Sequence, residues 1–338
     1  MDPTFYIQWH ITNFCTLRCR HCYQDDFSKE NDLDWQGLKR VFDNVDATLM
    51  NWGRKACVHL TGGEPLLKPE LFPLLADLEQ RPLVEEVGII SNGLPLNHEM
   101  IKRLSAFGKL KKIKISLDGV DAETHDSIRQ VGTFDRVIQN LSLLQKGGRF
   151  EVIVMFTVMK RNFQNLVPFI RFCQDLDVDG LIIERFIPWG RGREVLGEVL
   201  DRHQWKDLVE TLFEFFSIEM GEDKTAPYQA FQVDFQRGEP ELLGAPCVLG
   251  EDGICIMPQG DVFPCRRFPF SIGNLVDAPL KSIWEKSEIL AKLRKRENLK
   301  GRCRNCGWQE CRGCRSLAFS LTGDFLAEDP HCWFGNGK

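Results

Sequence analysis

FYIQWHITNFCTLRCRHCY, residues 5–23, is the stretch whose reading decides the fold. Its first half, Phe5 to Ile11, is a short run rich in aromatic and β-branched residues, closed by Thr12 and Asn13, and it reads as a strand. Its second half sets Cys15-x3-Cys19-x2-Cys22 directly behind that strand. Working outward, five more runs of the same kind follow: ACVHL (56–60), EEVGII (85–90), KIKISL (112–117), EVIVMFTV (151–158) and GLIIERF (180–186). Segments of helical period lie between them. Leu38, Val41, Phe42, Val45 and Leu49 share one face, as do Ile138, Leu141, Leu144 and Gln145, and Phe163, Val167, Ile170 and Phe172 repeat nearly so. Regular alternation of strand and helix implies right-handed βαβ units and a parallel sheet. Six units predict an α/β fold with a partial (β/α)6 TIM-type barrel, open rather than closed at eight strands. Chemistry in such sheets gathers at the carboxyl ends of the strands, so the three cysteines fall in the first βα loop of the catalytic face.

The 338 residues are 43% hydrophobic and 27% charged, enough for one large α/β domain plus an appendage and too apolar for a disordered chain. A formal net charge of -5 disfavours a general nucleic-acid footprint. The start, MDPTFYIQWH, has no basic segment leading into an apolar one, and nowhere does the chain run 18 residues without charge. The expectation is a cytoplasmic protein with neither a nucleic-acid nor a membrane partner. Thirteen cysteines are then the anomaly, because a reducing compartment does not maintain a disulfide framework. Three cluster at Cys15, Cys19 and Cys22, Cys57 and Cys173 stand alone and read as buried packing residues, and eight fall between Cys247 and Cys332. Beyond residue 200 come an apolar helix (Gln204 to Phe216), a Gly/Pro-punctuated stretch (221–240) and the cysteine-rich tail. The domains are drawn as barrel 1–200, helical linker 201–240 and tail 241–338.

Three thiolates on a short loop hold three corners of a 4Fe-4S cube and leave its fourth iron open to a small molecule. The same residues, with His21 or His10 as a fourth ligand, suit a structural zinc site, and spacing alone leaves both readings open. The second strand adds Thr61-Gly62-Gly63-Glu64-Pro65 at its end, where paired glycines let backbone approach a ligand closely. Taken together, CxxxCxxC followed by Tyr23, then GGEP after the next strand, resembles the radical S-adenosylmethionine (SAM) superfamily over roughly residues 5–200.

That resemblance implies roles for individual residues. Cys15, Cys19 and Cys22 would ligate the catalytic cluster that binds SAM, with Tyr23 as a cofactor contact. Gly62, Gly63 and Glu64 would line the methionine amino group, and Ser91-Asn92 and Ser116, with Asp118, would contact the ribose and the methionine moiety. Arg129 would pair with the SAM carboxylate, which a planar guanidinium suits. Simpler readings stand beside these: Asp118-Gly119 as a turn, Ser91 as a helix cap, Arg129 as a solvated residue. The implied reaction is reductive cleavage of SAM to a 5'-deoxyadenosyl radical that takes a hydrogen from the substrate, inside a closed and water-poor cavity.

The tail reads Cys247-x7-Cys255-x9-Cys265, then Cys303-x2-Cys306-x4-Cys311-x2-Cys314, then Cys332. Eight thiolates fill two 4Fe-4S clusters with no corner left over, while the paired CxxC motifs taken alone suit a zinc ribbon. With Gly260 and the following Asp261-Val262-Phe263-Pro264-Cys265, the tail resembles the SPASM domain found behind radical SAM cores. The resemblance implies Cys247, Cys255, Cys265 and Cys314 on an inner auxiliary cluster and Cys303, Cys306, Cys311 and Cys332 on an outer one, hence three 4Fe-4S clusters in all. The gaps of four and two in the central run depart from the family's five and three, which touches the pairing and not the count. Full protein ligation favours electron relay for both.

SPASM enzymes commonly modify peptides or proteins, and others act on porphyrin side chains. The first expectation is a maturase acting on a peptide or protein. The second is oxidative modification or decarboxylation of a tetrapyrrole or other small carboxylate, and the third a non-catalytic zinc protein. Arg266 follows Cys265 where the sulfatase-maturing branch has Asp, which disfavours formylglycine formation. An external one-electron donor of flavodoxin or ferredoxin type is implied, and, because the first strand begins by residue 5, leader recognition would need a separate leader-binding protein. Arg185, Arg191, Arg193, Arg266 and Arg267 would draw carboxylates to the mouth if they line it, the plainer reading being scattered surface arginines. Glu184 and Arg185 read equally as substrate-facing groups or as members of structural ion pairs. The loop Trp189-Gly190-Arg191-Gly192-Arg193 is a further substrate-contact candidate.

Overall fold

A computed structural model describes residues 4–218, 230–236, 238–245, 247–308 and 311–334. The six expected strands form: β1 (Phe5–Thr12), β2 (Ala56–Gly62), β3 (Val84–Ser91), β4 (Leu110–Ser116), β5 (Glu151–Val158) and β6 (Gly180–Arg185). They lie side by side in chain order, all parallel. The helices among them are α1 (Trp35–Trp52), α2 (Leu71–Gln80), α3 (His98–Leu104), α4 (Ala122–Ile128), α5 (Phe134–Gly147) and α6 (Leu166–Asp175), followed by α7 (Arg202–Phe215).

Alternation along β1 shows how sequence becomes layer. Phe5, Ile7, Trp9 and Ile11 are buried against the helical shell, while His10 and Thr12 turn to the other face of the sheet. In α1 the five residues expected on one face are all buried, and Phe42 stacks on Trp9 with ring centroids 5.9 Å apart. Burying each such side chain contributes about 1.5–3 kcal/mol. Asp34 starts the helix by accepting from the Gly37 N–H at 2.8 Å, and Gly53 ends it at φ +66°. The face of α6 differs from expectation: Leu166, Phe169, Ile170 and Cys173 are its buried residues. Phe163 belongs to a separate 3-10 turn, so the helical phase starts three residues later than the periodicity implied, and Phe169 rather than Phe172 stacks on Phe156.

A second difference concerns residues 221–240, read as a linker. Its described portion holds β7 (Ala230–Asp234), antiparallel to β6, and β8 (Glu241–Gly244) pairs with β7 in turn. Phe231 and Val233 alternate into the core, with Phe231 stacked on Trp205 of α7 at 6.3 Å, a two-residue signal too short to stand out beside Gly and Pro.

The tail continues the same sheet at its opposite side. Strand β9 (Gly253–Ile256) runs parallel to β1, followed by antiparallel β10 (Asp261–Phe263) and β11 (Gly273–Asn274). The order is β11-β10-β9-β1-β2-β3-β4-β5-β6-β7-β8, and among the described residues its two edges do not pair. After β11 come α8 (Leu280–Lys286), α9 (Glu288–Arg294), α10 (Arg302–Asn305) and α11 (Arg315–Thr322). Asn44 of α1 donates to the Leu275 and Ala278 carbonyls, each at 2.8 Å, and accepts from the Leu280 N–H, fastening tail to barrel. No described helix is long and apolar enough to cross a membrane.

Candidate active site

The loop after β1 is held by the end of β2. The Gly63 N–H donates to the Thr12 carbonyl and the Glu64 N–H to that of Phe14, each at 2.8 Å. A methyl group on Gly62 would sit 2.2 Å from the Thr12 carbonyl oxygen, and one on Gly63 would lie 2.3 Å from that of Phe14. Here both glycines are required by close approach of two backbones, and Gly62 also stands at φ +145°. The three thiols of the loop line one cleft. Burial pushes Cys19 up to about 12 and raises Cys15 and Cys22 as well, while Arg129 pulls Cys19 and Cys22 the other way.

Glu64 is wholly buried and faces the third strand end rather than open space. It accepts from the Ser91 hydroxyl and the Asn92 N–H at 2.8 Å and from the Leu66 N–H at 3.1 Å. Desolvation raises it to about 7, partly offset by those bonds. Asn92, positioned this way, directs its amide to Cys15 Sγ at 3.7 Å. Asp118 has the corresponding role at the end of β4. Fully buried, it receives Arg129 Nε at 2.7 Å and the Thr157 N–H at 2.9 Å, with His21 Nε2 at 3.5 Å. Asp118 therefore aims Arg129, and neither carboxylate reaches the cavity wall itself.

That cavity, a cleft open to solvent, is lined by Cys15, Cys19, Cys22, Tyr23, Gly62, Gly63, Ser91, Asn92, Ser116 and Arg129. Sequence reasoning missed Met155 and Thr157 in the same wall, although both sit at inward positions near the end of β5, where an alternation count finds them. Glu184, Arg266 and Arg267 also line the wall, with Glu184 Oε2 at 2.6 Å from Arg266 and 3.3 Å from Arg267. The Arg266 guanidinium also lies over the Tyr23 ring at 5.3 Å. Of the two readings open for Arg185, the structural ion pair is the one found: it turns to Asp329 of the tail. The glycine-rich loop 189–193 is a clamp on the cysteine loop: the Gly192 N–H donates to the Cys22 carbonyl at 2.9 Å and the Arg191 N–H to that of Gln24 at 3.1 Å. Gly190, at φ +55°, would carry its Cβ 2.3 Å from the Tyr23 carbonyl. His10, a candidate ligand in the zinc reading, is buried with both ring nitrogens lacking a described partner, its ring edge-on to Tyr23 at 5.4 Å.

Seven of the eight tail cysteines fall into two neighbourhoods. Cys247, Cys265 and Cys314 act on one another electrostatically, and Cys255 is raised further by Cys265. Cys332 responds to Cys303 and Cys311, and Cys306 is half-buried just past α10. Asp329 joins the two groups. It accepts from the Cys314 N–H at 2.7 Å and donates its own N–H to Cys303 Sγ at 3.3 Å, while Arg185 Nη1 grips both its oxygens at 3.0 and 2.8 Å. Arg185 and Asp329 are both buried, and His331 stacks on Trp205 beside them.

The donor geometry fits clusters better than single ions. Thiolates around one zinc lie under about 4 Å apart, given bonds of about 2.3 Å. Among the described residues the only three metal-capable donors within 4.8 Å of one another are Cys57, His59 and Glu86, so neither the loop nor the tail thiols converge on one point. Buried thiols also ionise readily only beside strong positive charge, which iron supplies.

Residues 9–173 match the Radical SAM superfamily, and residues 247–307 match an iron-sulfur cluster-binding domain, SPASM. An AdoMet-dependent heme synthase of Methanosarcina barkeri is 29% identical, covering 98% of this chain and 97% of its own. A pre-heme d1 synthase of Dinoroseobacter shibae is 28% identical over 98% of this chain and 86% of its own. The mycofactocin maturase MftC of Mycobacterium tuberculosis is 27% identical over 100% and 85%. In fold, the chain resembles SuiB of Streptococcus suis bound to its precursor peptide SuiA, with a TM-score of 0.71 at 16% identity over 99% of this chain and 77% of that one.

Proposed function

We propose that this chain, a radical SAM enzyme with a C-terminal SPASM domain, removes a hydrogen atom from a carboxylate-bearing substrate and passes the remaining electron out through two thiolate-held clusters in its tail. When bound at Cys15, Cys19 and Cys22, a reduced 4Fe-4S cluster with SAM supplies the 5'-deoxyadenosyl radical for that abstraction. The chain's own groups do the positioning. Arg129, aimed by Asp118, offers a guanidinium to the SAM carboxylate; Glu64 holds the Ser91-Asn92 turn against the cysteine loop; Phe186 and Ile187 keep water from the wall. Tail ligation by Cys247, Cys255, Cys265 and Cys314, and by Cys303, Cys306, Cys311 and Cys332, gives three clusters in all. The electron enters from a flavodoxin- or ferredoxin-type donor in the cytoplasm.

The observation that carries the substrate class is the sharing of one carboxylate, Glu184, by Arg266 and Arg267 on the cavity wall. Two cations on one anion leave a surplus positive charge that a substrate carboxylate completes. A propionate-bearing tetrapyrrole suits this arrangement, and the heme synthase and pre-heme d1 synthase relatives support it, which moves it ahead of the peptide that the sequence alone put first. The peptide reading stands second, supported by the maturase relative whose match covers the whole chain; a separate leader-binding protein belongs to that reading alone. Reconstituted enzyme given an iron porphyrin with propionate side chains decides between them. Porphyrin consumption without any peptide, with KM raised at least about tenfold in Arg266→Met and Arg267→Met, is expected. Unchanged KM in both variants overturns the carboxylate role, and turnover only with a peptide installs the second reading.

A further inference from the structure

Cys57, His59 and Glu86 lie outside the cavity, toward the amino-terminal end of β2 and β3. The sequence read Cys57 as a packing residue in an apolar strand, but it shares a strand face with His59, two residues on. Across the ladder Glu86 is the register partner of Cys57, and Gly88 is the register partner of His59. Gly88 has a visible reason: a Cβ there would lie 2.4 Å from His59 Cδ2, so only glycine lets the imidazole settle over β3 toward Glu86. The result is a triangle of unlike donors. Cys57 Sγ is 3.8 Å from His59 Nε2 and 3.5 Å from Glu86 Oε1, and His59 Nε2 is 3.9 Å from Glu86 Oε1.

We propose that Cys57, His59 and Glu86 bind one zinc ion, with water in the fourth position. Tetrahedral zinc with a sulfur at about 2.3 Å and nitrogen and oxygen at about 2.0–2.2 Å spaces its ligands about 3.4–3.6 Å apart, within about half an ångström of this triangle. A thiolate, an imidazole and a carboxylate form a borderline donor set that favours zinc over calcium or magnesium. The His59 and Glu86 side chains are 19% and 25% exposed, which gives the ion an entry path and its water. Two cations compete for these groups: Lys112 Nζ lies 3.3 Å from Glu86 Oε1 and 3.5 Å from Glu151 Oε2, and Lys114, two residues along the same face of β4, acts electrostatically on Cys57, His59 and Glu86; zinc displaces Lys112 toward Glu151. The ion bolts β2 to β3 at the end of the barrel remote from the cysteine loop. This site is independent of the substrate reading.

The test uses cluster-loaded enzyme with its full iron complement, exposed to zinc alone and dialysed. One zinc per chain is expected, and its X-ray absorption edge should show a single sulfur at about 2.3 Å with nitrogen and oxygen neighbours at about 2.0–2.2 Å. Cys57→Ser and Glu86→Gln should each lose that zinc with iron unchanged, and Lys112→Met should hold it at least about as tightly, having removed one competing cation. Glu86→Gln, at a partly exposed position, keeps the test open if Cys57→Ser does not fold. No zinc bound at full iron, zinc retained in both ligand variants, or a multi-sulfur environment would each overturn the proposal.

Discussion

Eleven cysteines in this molecule sit in two regions built on opposite principles. The barrel's three lie within eight residues and are fixed by backbone: two carbonyls of the loop accept from Gly63 and Glu64, two more from Gly192 and Arg191, and the glycines at 62, 63 and 190 make room. The tail's eight are spread from Cys247 to Cys332 and are linked over long range by Asp329, whose carboxylate takes the Cys314 N–H, whose own N–H reaches Cys303 and which is itself held by Arg185 of β6. The lesson is that thiols close together in sequence are pinned locally, so their arrangement survives changes elsewhere. Thiols drawn from distant segments depend on the long-range packing of the fold.

The largest expected effect separates the two regions outright. Alanine at Cys15, Cys19 and Cys22 together should reduce SAM cleavage to background and lower iron from about twelve to about eight per chain. Alanine at Cys314 should leave 5'-deoxyadenosine formation intact while product falls at least about a hundredfold. Loss of cleavage in the Cys314 variant would show that the regions are not separable.

Next comes the joint. Arg185→Met strands a buried carboxylate, and breaking such a pair costs about 3–5 kcal/mol. A lower unfolding temperature with iron released from the tail, but not from the loop, is the expected result. Loss from both regions together would mean that Arg185 supports the barrel itself.

The smallest effect belongs to the loop's strap. Glu64, raised from its ordinary 4.5 to about 7 by desolvation, contributes stability that is full below pH 4.5 and is lost as pH rises through about 7. Denaturant unfolding between pH 4.5 and 8 should show a decline of up to about 3 kcal/mol in wild type that is absent in Glu64→Gln. Parallel curves would place Glu64 at an ordinary carboxylate value.

Much of this architecture is written in short patterns. Each of the six parallel strands spans residues that neighbour one another in sequence, and alternation or apolar content marks them within a residue or two at most ends. The thiols of the loop and the GGEP turn are equally local, and the residues read as SAM contacts mostly line one cavity. Glu64 and Asp118 were legible as members of that site, but only the structure shows them acting through Asn92 and Arg129 rather than facing the cavity.

What tertiary structure alone decided involves partners far apart in the chain. The pairing of Glu184 with Arg266 and Arg267, the grip of Arg185 on Asp329, the addition of β9 beside β1, and the meeting of Cys57 with Glu86 leave no periodic trace. Composition and spacing determined that this chain is an α/β protein with thiols clustered at the first strand end and in its tail. Which charges neutralise each other, and which stay available to a ligand, is set by strand order and register, because electrostatic and coordination energies depend on distances that only the folded chain defines.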